Sequence, residues 1–293
     1  MKKRTALITG GASGIGCAIG KAMARRGKRV VLADRQFAQA REVAEGIVAG
    51  GGDAWACELD VRDAAAFADV ARRVRDENGS VDYLFNNAGI GIGGEVADYD
   101  RHAWDDVLDV NVRGVAYGIQ AVYPIMRAQG SGHIINTASM AGLLPAASAA
   151  SYTASKHAVV GMSKALRIEA AVYGVRVSAL CPGAIRTPIL TGGVFGRQVG
   201  KYLPESKMRE LWDRMKPMDP DRFAIEVLKD IDANEPYIIV PRWWKAVWLL
   251  ERVAPRLSMH AWSRLYARTR AEVAAHGLED EIHTTTDVPA HAE

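Results

Sequence analysis

The stretch TGGASGIG, residues 9–16, follows directly on the apolar run TALIT at residues 5–9. Gly10, Gly14 and Gly16 give it the spacing G-x-x-x-G-x-G. A turn this tight needs residues without Cβ, so that backbone N–H groups can approach a pyrophosphate. The helix that follows then points its positive end at the phosphates. The stretch therefore predicts a strand, a phosphate-binding turn and a helix in direct succession.

Short apolar, β-branched runs alternate with longer helical patterns along the chain. Seven runs predict strands: residues 5–9, 29–34, 53–59, 81–86, 133–139, 175–180 and 236–240. Helical patterns cover about residues 14–26, 38–49, 63–77, 101–128 and 151–172. Continuous apolar strands separated by helices are typical of a parallel sheet that is covered on both faces. The predicted fold is α/β, a Rossmann-like doubly wound seven-stranded parallel sheet flanked by helices, with a C-terminal amphipathic helical extension.

An acidic residue ends the second predicted strand. Asp34 lies 18 residues after Gly16, where a carboxylate can accept hydrogen bonds from both adenosine ribose hydroxyls. It would repel a 2′-phosphate, so it favours NAD over NADP. Arg35 follows directly and could pair with that phosphate, which leaves NADP open. Ser13, within the glycine loop, is not basic and offers no second cationic contact.

A serine and a Tyr/Lys pair follow the fifth predicted strand. Ser139 ends it, and YTASK at 152–156 places Tyr152 and Lys156 four residues apart, on one face of a helix. A tyrosine titrates near ~10 in water, too high for a base at neutral pH. A neighbouring ammonium favours the phenolate, so the pair is predicted to act as general acid or base. Ser139 is then expected to hold the substrate oxygen.

These motifs belong to a larger set that appears in order along the chain. The set is TGGASGIG at 9–16, NNAG at 86–89, Asn111, Ser139, YTASK at 152–156 and PGAIRT at 182–187. Over about residues 4–240 it resembles the short-chain dehydrogenase/reductase family. The resemblance implies the catalytic set Asn111, Ser139, Tyr152 and Lys156. It implies, together with the loop and strand-end residues above, cofactor contacts from Gly10, Ser13, Gly14, Ile15, Gly16, Asp34, Arg35, Asp60, Val61, Asn86, Gly89, Tyr152, Lys156, Ile185 and Thr187.

The resemblance also implies a role for individual positions. Asp60 would contact the adenine, while Asn86 and Gly89 would line the adenosine side and stabilise the central strand. Asn111 would bend its helix and hold a water in a proton relay through Lys156, which would also grip the nicotinamide ribose. Ile185 and Thr187 would meet the nicotinamide carboxamide. Relatives associate through the helices at 101–128 and 151–172, so a homodimer or homotetramer is implied.

The expected reaction is reversible hydride transfer between an alcohol, secondary and hydrophobic, and its carbonyl. One alternative is a non-catalytic dinucleotide-binding sensor or scaffold, which would be expected to lose Ser139, Tyr152 or Lys156. Another is an epimerase or dehydratase, which needs a larger C-terminal substrate domain. A long insertion at 188–235 separates the sixth and seventh predicted strands, and insertions of this length are often lids over a binding site. The apolar residues of this insertion suggest a hydrophobic substrate. They are Ile189, Leu190, Val194, Phe195, Tyr202 and Leu203. Packing of this lid on the body is the alternative.

A tryptophan-rich, basic stretch follows the last predicted strand. VPRWWKAVWLLERVAPRL at 240–257 holds three tryptophans within six residues. Residues 242–270 carry seven Lys/Arg and one acid, a local net charge of +6 in a chain whose total is +3. Packing against the body or another subunit, a lid, and peripheral membrane contact through 242–270 all suit this composition. The predicted organisation is a dehydrogenase domain over 1–241, a helical extension over 242–276 and a disordered tail over 277–293.

Composition limits the remaining functions. A net charge of +3 is too small to suggest nucleic-acid binding. The three cysteines are far apart and no His cluster has metal-ligand spacing, so no metal site is predicted. The first apolar stretch is too short for a signal peptide, and no apolar run approaches the roughly 20 residues of a membrane span. Free thiols and the absence of such segments predict a cytoplasmic enzyme.

Overall fold

The computed structural model describes residues 3–190, 196–200 and 205–275. Within these ranges the strands are Thr5–Thr9 (β1), Arg29–Asp34 (β2), Asp53–Glu58 (β3), Tyr83–Asn86 (β4), Gly91–Gly93 (β5), Gly132–Thr137 (β6), Val175–Pro182 (β7), Gly196–Gln198 (β8) and Tyr237–Val240 (β9). Seven of them form a parallel sheet in the order β3-β2-β1-β4-β6-β7-β9. This confirms the predicted doubly wound sheet.

Helices cover both faces of this sheet. They are Gly14–Arg25 (α1), Phe37–Ala49 (α2), Ala64–Asn78 (α3), His102–Leu108 (α4), Gly114–Gln129 (α5), Ala150–Ala171 (α6), Glu205–Arg214 (α7), Pro220–Asp232 (α8), Trp244–Val253 (α9) and Pro255–Ala275 (α10). Successive residues of β1 point to opposite faces. Ile8 packs in the core under α1, α2 and α8, and Leu7 packs in the core under α3, α5 and α6. Both side chains are fully buried, which explains the continuous apolar run.

The long helix predicted over 101–128 is interrupted. α4 ends at Leu108, a π-helical segment spans Asp109–Arg113, and α5 continues to Gln129. Asn111 lies at the centre of the π-helical segment and is fully buried. Extra residues of this kind inside a helix re-aim the side chains around them and are frequent at functional sites.

A second, two-stranded sheet was not predicted. β5 pairs in parallel with β8, from Gly91 beside Gly196 to Gly93 beside Gln198. This ladder ties the start of the 188–235 insertion to the chain that follows β4. The insertion also contributes α8, whose Phe223 is fully buried in the main core, so only part of it can act as a lid. The candidate lid residues Val194, Phe195, Tyr202 and Leu203, like the predicted tail at 277–293, lie outside the described residues.

The tryptophan-rich stretch forms α9 and α10. Trp244 is 8% exposed, and its indole Nε1 would lie 2.2 Å from a Cβ placed on Gly183. Trp248 packs on Tyr237 of β9, with ring centroids 5.1 Å apart. α9 is therefore anchored on the last strands of the sheet. Across the described ranges, no helix has the length and apolar character to cross a membrane.

Two glycines in helix interiors should respond oppositely to alanine. A Cβ on Gly118 of α5 would lie 2.1 Å from Asn86 Oδ1 and 2.8 Å from Phe67, whereas a Cβ on Gly46 of α2 meets nothing within 4 Å. We expect Gly118→Ala to lower the free energy of unfolding by about 1–3 kcal/mol, because it overpacks the core. Gly46→Ala should raise it by about 0.5–1 kcal/mol through helix propensity. Urea denaturation measures both, and equal stabilities would contradict the close packing of α5 on β4.

Candidate active site

The glycine loop after β1 is shaped by close backbone approach. A Cβ on Gly16 would lie 2.1 Å from the carbonyl oxygen of Gly10, so no side chain fits at this position. Gly14 has a φ of +52°, in the left-handed region that L side chains rarely adopt. The loop lies at the boundary between β1 and β4, where the strand order reverses and ligands of such sheets bind. Asn87, after β4, donates a 3.0 Å hydrogen bond to the carbonyl oxygen of Thr9 and so holds the loop against its neighbour.

Two acidic residues follow the neighbouring strands at the same edge. Asp34 is buried, and its carboxylate accepts hydrogen bonds from the backbone N–H groups of Ala12 at 3.0 Å and Gln36 at 2.9 Å. Asp60 accepts from the Arg62 guanidinium at 3.0 Å. Burial opposes ionisation of Asp60, but the hydrogen bonds from Arg62 outweigh it and lower the pKa of this carboxyl. Both carboxylates are therefore fixed before any ligand arrives.

Ser139, Tyr152 and Lys156 meet beyond the carboxyl end of β6. Ser139 begins a short 3-10 turn, and its Oγ accepts a 3.1 Å hydrogen bond from the backbone N–H of Ala141. Tyr152 and Lys156 both lie on α6, with Lys156 Nζ 5.5 Å from the centroid of the Tyr152 ring. Lys156 Nζ also donates a 2.9 Å hydrogen bond to the carbonyl oxygen of Thr137. The strand end and the helix thus aim three functional groups at one place.

Burial shifts the pKa values of Tyr152 and Lys156 in opposite directions. Burial raises the pKa of Tyr152, and a hydrogen bond with Ser139 opposes that rise. Burial lowers the pKa of Lys156 to about 8. The sequence argument relied on the ammonium to favour the phenolate, but here Ser139 is the neighbour that favours it. Cys181, fully buried beside them, has its pKa raised to about 12 and stays a thiol at neutral pH.

Asn111 is held by hydrogen bonds on every side. Its Oδ1 accepts from the N–H of Ile90 at 2.9 Å, and its Nδ2 donates to the carbonyl oxygen of Ile90 at 2.9 Å and to Ser155 Oγ at 3.1 Å. A Cβ on Gly89 would lie 3.1 Å from Asn111 Oδ1 and 3.4 Å from Lys156 Nζ. Gly89 therefore allows the side chains of Asn111 and Lys156 to approach the same stretch of backbone.

One cavity of about 1680 Å³ joins these parts. Of the residues singled out by sequence, those that line it are Gly10, Ser13, Gly14, Ile15, Asp34, Arg35, Asp60, Val61, Gly89, Ser139, Tyr152, Lys156, Ile185 and Thr187. Its volume exceeds the roughly 300–1,000 Å³ of a typical single-ligand pocket. The glycine-rich loop and the fixed carboxylate of Asp34 fit a dinucleotide. The volume of the cavity leaves room for a substrate beside it.

Three of the sequence candidates do not line the cavity. Gly16 and Asn111 lie behind its wall, and the side chain of Asn86 is buried between the sheet and α5, where it donates a 2.8 Å hydrogen bond to Asn136 Oδ1. The next residue, Asn87, lines the cavity in its place. The missed signal was the alternation of side chains along a strand. It directs Asn86, the last residue of β4, and Asn87, the residue after it, to opposite sides.

The sequence offered a lid as one of several roles for the C-terminal extension but did not identify which of its residues face the site. Residues of α10 line the cavity beside Tyr152: Met259, Trp262, Ser263, Leu265, Tyr266, Thr269, Arg270 and Ala274. Their spacing of three and four residues, visible in the sequence, was the signal for one helix face. The lid interpretation of the extension is the one that this placement supports. Peripheral membrane contact and subunit association stay predictions.

A family model described as short chain dehydrogenase matches residues 4–193. The chain belongs to the short-chain dehydrogenase family. A dehydrogenase of 2,5-dichloro-2,5-cyclohexadiene-1,4-diol from Sphingobium indicum is 40% identical over 186 residues, which cover 64% of this chain and 74% of the relative. The chain is thus an oxidoreductase of the family that acts on alcohols with a nicotinamide dinucleotide.

Solved structures agree with this assignment. A short-chain dehydrogenase/reductase from Burkholderia phymatum, in complex with NAD, has a TM-score of 0.77 and 30% identity, covering 87% of this chain and 95% of its own. A metagenomic short-chain oxidoreductase in complex with NADP has a TM-score of 0.59 and 38% identity, covering 62% and 83%. Both bind a nicotinamide dinucleotide, and they differ in which one.

The buried lysine should give a pH-dependent contribution to stability. A lysine titrates at 10.5 in the unfolded chain, whereas burial lowers the pKa of Lys156 to about 8 in the folded one. Between these pH values the unfolded state binds a proton that the folded state does not, so this contribution to stability rises with pH and is lost as pH falls through about 8. Lys156→Met removes the titration, while the titrations of Tyr152 and Cys181 remain in both proteins.

We therefore compare the free energies of unfolding of wild type and K156M across pH by urea denaturation. From about pH 7 to about pH 11 the difference should move in favour of wild type by about 3 kcal/mol. A difference that stays flat with pH would show that Lys156 keeps the proton affinity of a lysine in water.

Proposed function

We propose that this chain interconverts a hydrophobic secondary alcohol and its ketone, with Tyr152 as the acid/base and NAD as the preferred cofactor. The observation that carries the proposal is the meeting of Ser139, Tyr152 and Lys156 in the same cavity as the glycine loop and Asp34. A dinucleotide-binding sensor would have no need of a buried Tyr–Lys pair that costs stability. The relatives with a named activity are a dehydrogenase and a putative ketoacyl reductase, which supports alcohol–carbonyl interconversion over epimerisation or dehydration.

The residues divide the work of moving one proton. In the oxidation direction Tyr152 removes the proton of the substrate hydroxyl, as a phenolate that its hydrogen bond with Ser139 favours. Ser139 Oγ accepts from Ala141 and has one proton to donate, which would turn from the Tyr152 oxygen to the substrate oxygen once the substrate is bound. Lys156, which is only 3% exposed, places a positive charge beside the Tyr152 ring. Asn111 holds the Ile90 backbone, next to Gly89, by hydrogen bonds to its N–H and its carbonyl oxygen.

The cofactor is held by groups that the loop and strand ends present. The N–H groups of the Gly10–Gly16 loop and the N-terminus of α1 would hold the pyrophosphate. Asp34 would accept the ribose hydroxyls, and Ile185 and Thr187 line the same cavity, with Thr187 close to Gly14 of the loop. When bound, the nicotinamide supplies or accepts the hydride. Asp34 favours NAD because its carboxylate occupies the place where NADP carries a phosphate.

The substrate part of the cavity is apolar. Leu144, Ile189, Leu190, Met208, Leu211, Trp212, Met215, Met259 and Trp262 contribute to its wall. Such a wall stabilises a hydrophobic substrate by roughly 25 cal/mol per Å² of apolar surface removed from water. The Sphingobium relative supports the same class, since its substrate is named as a diol on a chlorinated ring. We further propose that the enzyme is cytoplasmic and forms a homo-oligomer.

Tyr152→Phe tests the acid/base. The variant keeps the ring but cannot take the proton, so kcat should fall by roughly 10²–10⁴-fold. The Kd for NADH, measured by fluorescence titration, should change little, because the phosphate loop and Asp34 are intact. Tyr173→Phe, which changes a tyrosine outside the cavity, is the matched control. Turnover at the wild-type rate by Y152F, with secondary alcohols in the panel, would reject Tyr152 as the base.

Asp34→Asn tests cofactor preference. The substitution keeps the side-chain shape but removes the charge that would repel a 2′-phosphate. We expect the ratio of kcat/KM for NAD to that for NADP to fall by roughly 10–100-fold, the effect of one hydrogen bond to a charged group. Exposed Asp76→Asn, on α3, is the control for a lost surface charge. An unchanged ratio in D34N would assign cofactor choice to another residue.

A further inference from the structure

One face of α10 forms a wall of the cavity over four helical turns. The residues that line it run from Met259 through Trp262 and Tyr266 to Ala274. With a rise of about 1.5 Å per residue, this face extends over roughly 22 Å. The family model ends at residue 193, so this wall lies beyond the part of the chain that the family model matches.

The middle of this wall is fastened to the body by a polar cluster, which we call the latch: Glu95, Ser148, Tyr266 and Arg270. Glu95 Oε1 accepts hydrogen bonds from Tyr266 Oη at 3.0 Å and from Arg270 Nε at 2.6 Å. Ser148 Oγ lies 3.4 Å from Tyr266 Oη. Glu95 follows β5 and Ser148 precedes Tyr152 by four residues, so the latch joins α10 to the loop that leads into the catalytic helix.

The latch is strong enough to place α10 but weak enough to release it. The Glu95 and Arg270 side chains are 43% and 66% exposed, and ion pairs that water and salt screen in this way contribute little to stability. At its other end α10 is joined to α9 by the single residue Ala254, and α9 is anchored by Trp244 and Trp248. Near its far end α10 also carries an exposed ion pair, between Glu272 and Arg214 of α7. A helix with one fixed end that is otherwise held by exposed ion pairs can open for a substrate and close again without disturbing the sheet.

We propose that α10 is the specificity wall of this enzyme: Trp262 and Tyr266 limit the size of the apolar group that a substrate carries on its alcohol carbon, and the latch holds them in place. This rests on the proposed alcohol oxidation, since it names which alcohols the same site admits. Trp262 lines the cavity that Ser139 and Tyr152 also line, and it packs against the cluster that contains Trp244 and Cys181. A bulky ring at this place shortens the cavity, so a smaller residue should lengthen it.

Trp262→Ala tests the wall. Initial rates of NADH formation are measured with straight-chain secondary alcohols of increasing length and with cyclic alcohols of increasing bulk. In W262A, kcat/KM for the bulkiest alcohols relative to the smallest should rise by roughly tenfold or more, the size of effect that a change of one or two carbons has in an apolar pocket. Leu257→Ala is the matched control, since Leu257 lies on α10, is 61% exposed and does not line the cavity.

If W262A, L257A and wild type show the same dependence of kcat/KM on alcohol size, Trp262 does not limit the size of the substrate. Trp262→Leu gives a smaller increase in space and serves if W262A does not fold, as judged by circular dichroism. It should shift the profile in the same direction and by less. A wild type that oxidises no alcohol in the panel, with either dinucleotide, would instead reject the proposed function and leave the latch to the following test.

Glu95→Gln and Arg270→Met test the latch without turnover. Release of α10 should expose its backbone to trypsin, so cleavage after Arg264, followed by mass spectrometry, should be at least several-fold faster in both variants than in wild type. Arg268→Met, two residues away on the same helix and without a contact to Glu95, is the control and should cleave after Arg264 at the wild-type rate. Equal cleavage in E95Q, R270M and R268M would show that these contacts do not hold α10.

Discussion

All seven strands of the main sheet run in one direction, and every functional group described here depends on that constraint. Parallel strands buried on both faces have few polar side chains along their length, and those they have, such as Asn86 and Asn136, are bonded within the core, so accessible polar groups lie where the strands end. The glycine loop follows β1, Asp34 ends β2, Asn87 follows β4 and Ser139 follows β6. Their common direction brings residues more than a hundred positions apart to one cavity.

The active site contains a group that opposes folding. A lysine that is 3% exposed, and whose pKa burial lowers to about 8, opposes folding at neutral pH. The two cores on either side of the sheet, filled by side chains such as Ile8 and Leu7, offset that opposition. Lys156 therefore lies where a well-packed sheet can tolerate a poorly solvated charge.

The sequence predicted the sheet better than the site, for physical reasons. β1 and β2 were predicted to the residue because buried parallel strands leave an uninterrupted apolar signal. The pairing of β5 with β8 left none, since three-residue strands rich in glycine have no alternation to detect. The cavity residues within motifs were found because phosphate loops and Tyr–Lys pairs have fixed spacing. The exchange of Asn86 for Asn87 and the orientation of α10 depend on tertiary packing, which a single sequence does not encode locally.

The position of α10 has an evolutionary consequence. Its cavity-facing residues lie downstream of the last strand, and the proton-transfer groups all lie upstream of residue 157. Mutations can therefore accumulate in the terminal helix without touching the chemistry, and recombination near Pro241 would exchange one terminal helix pair for another. Descendants of such a protein can acquire new substrates by exchanging α9 and α10, while Ser139, Tyr152 and Lys156 are inherited unchanged.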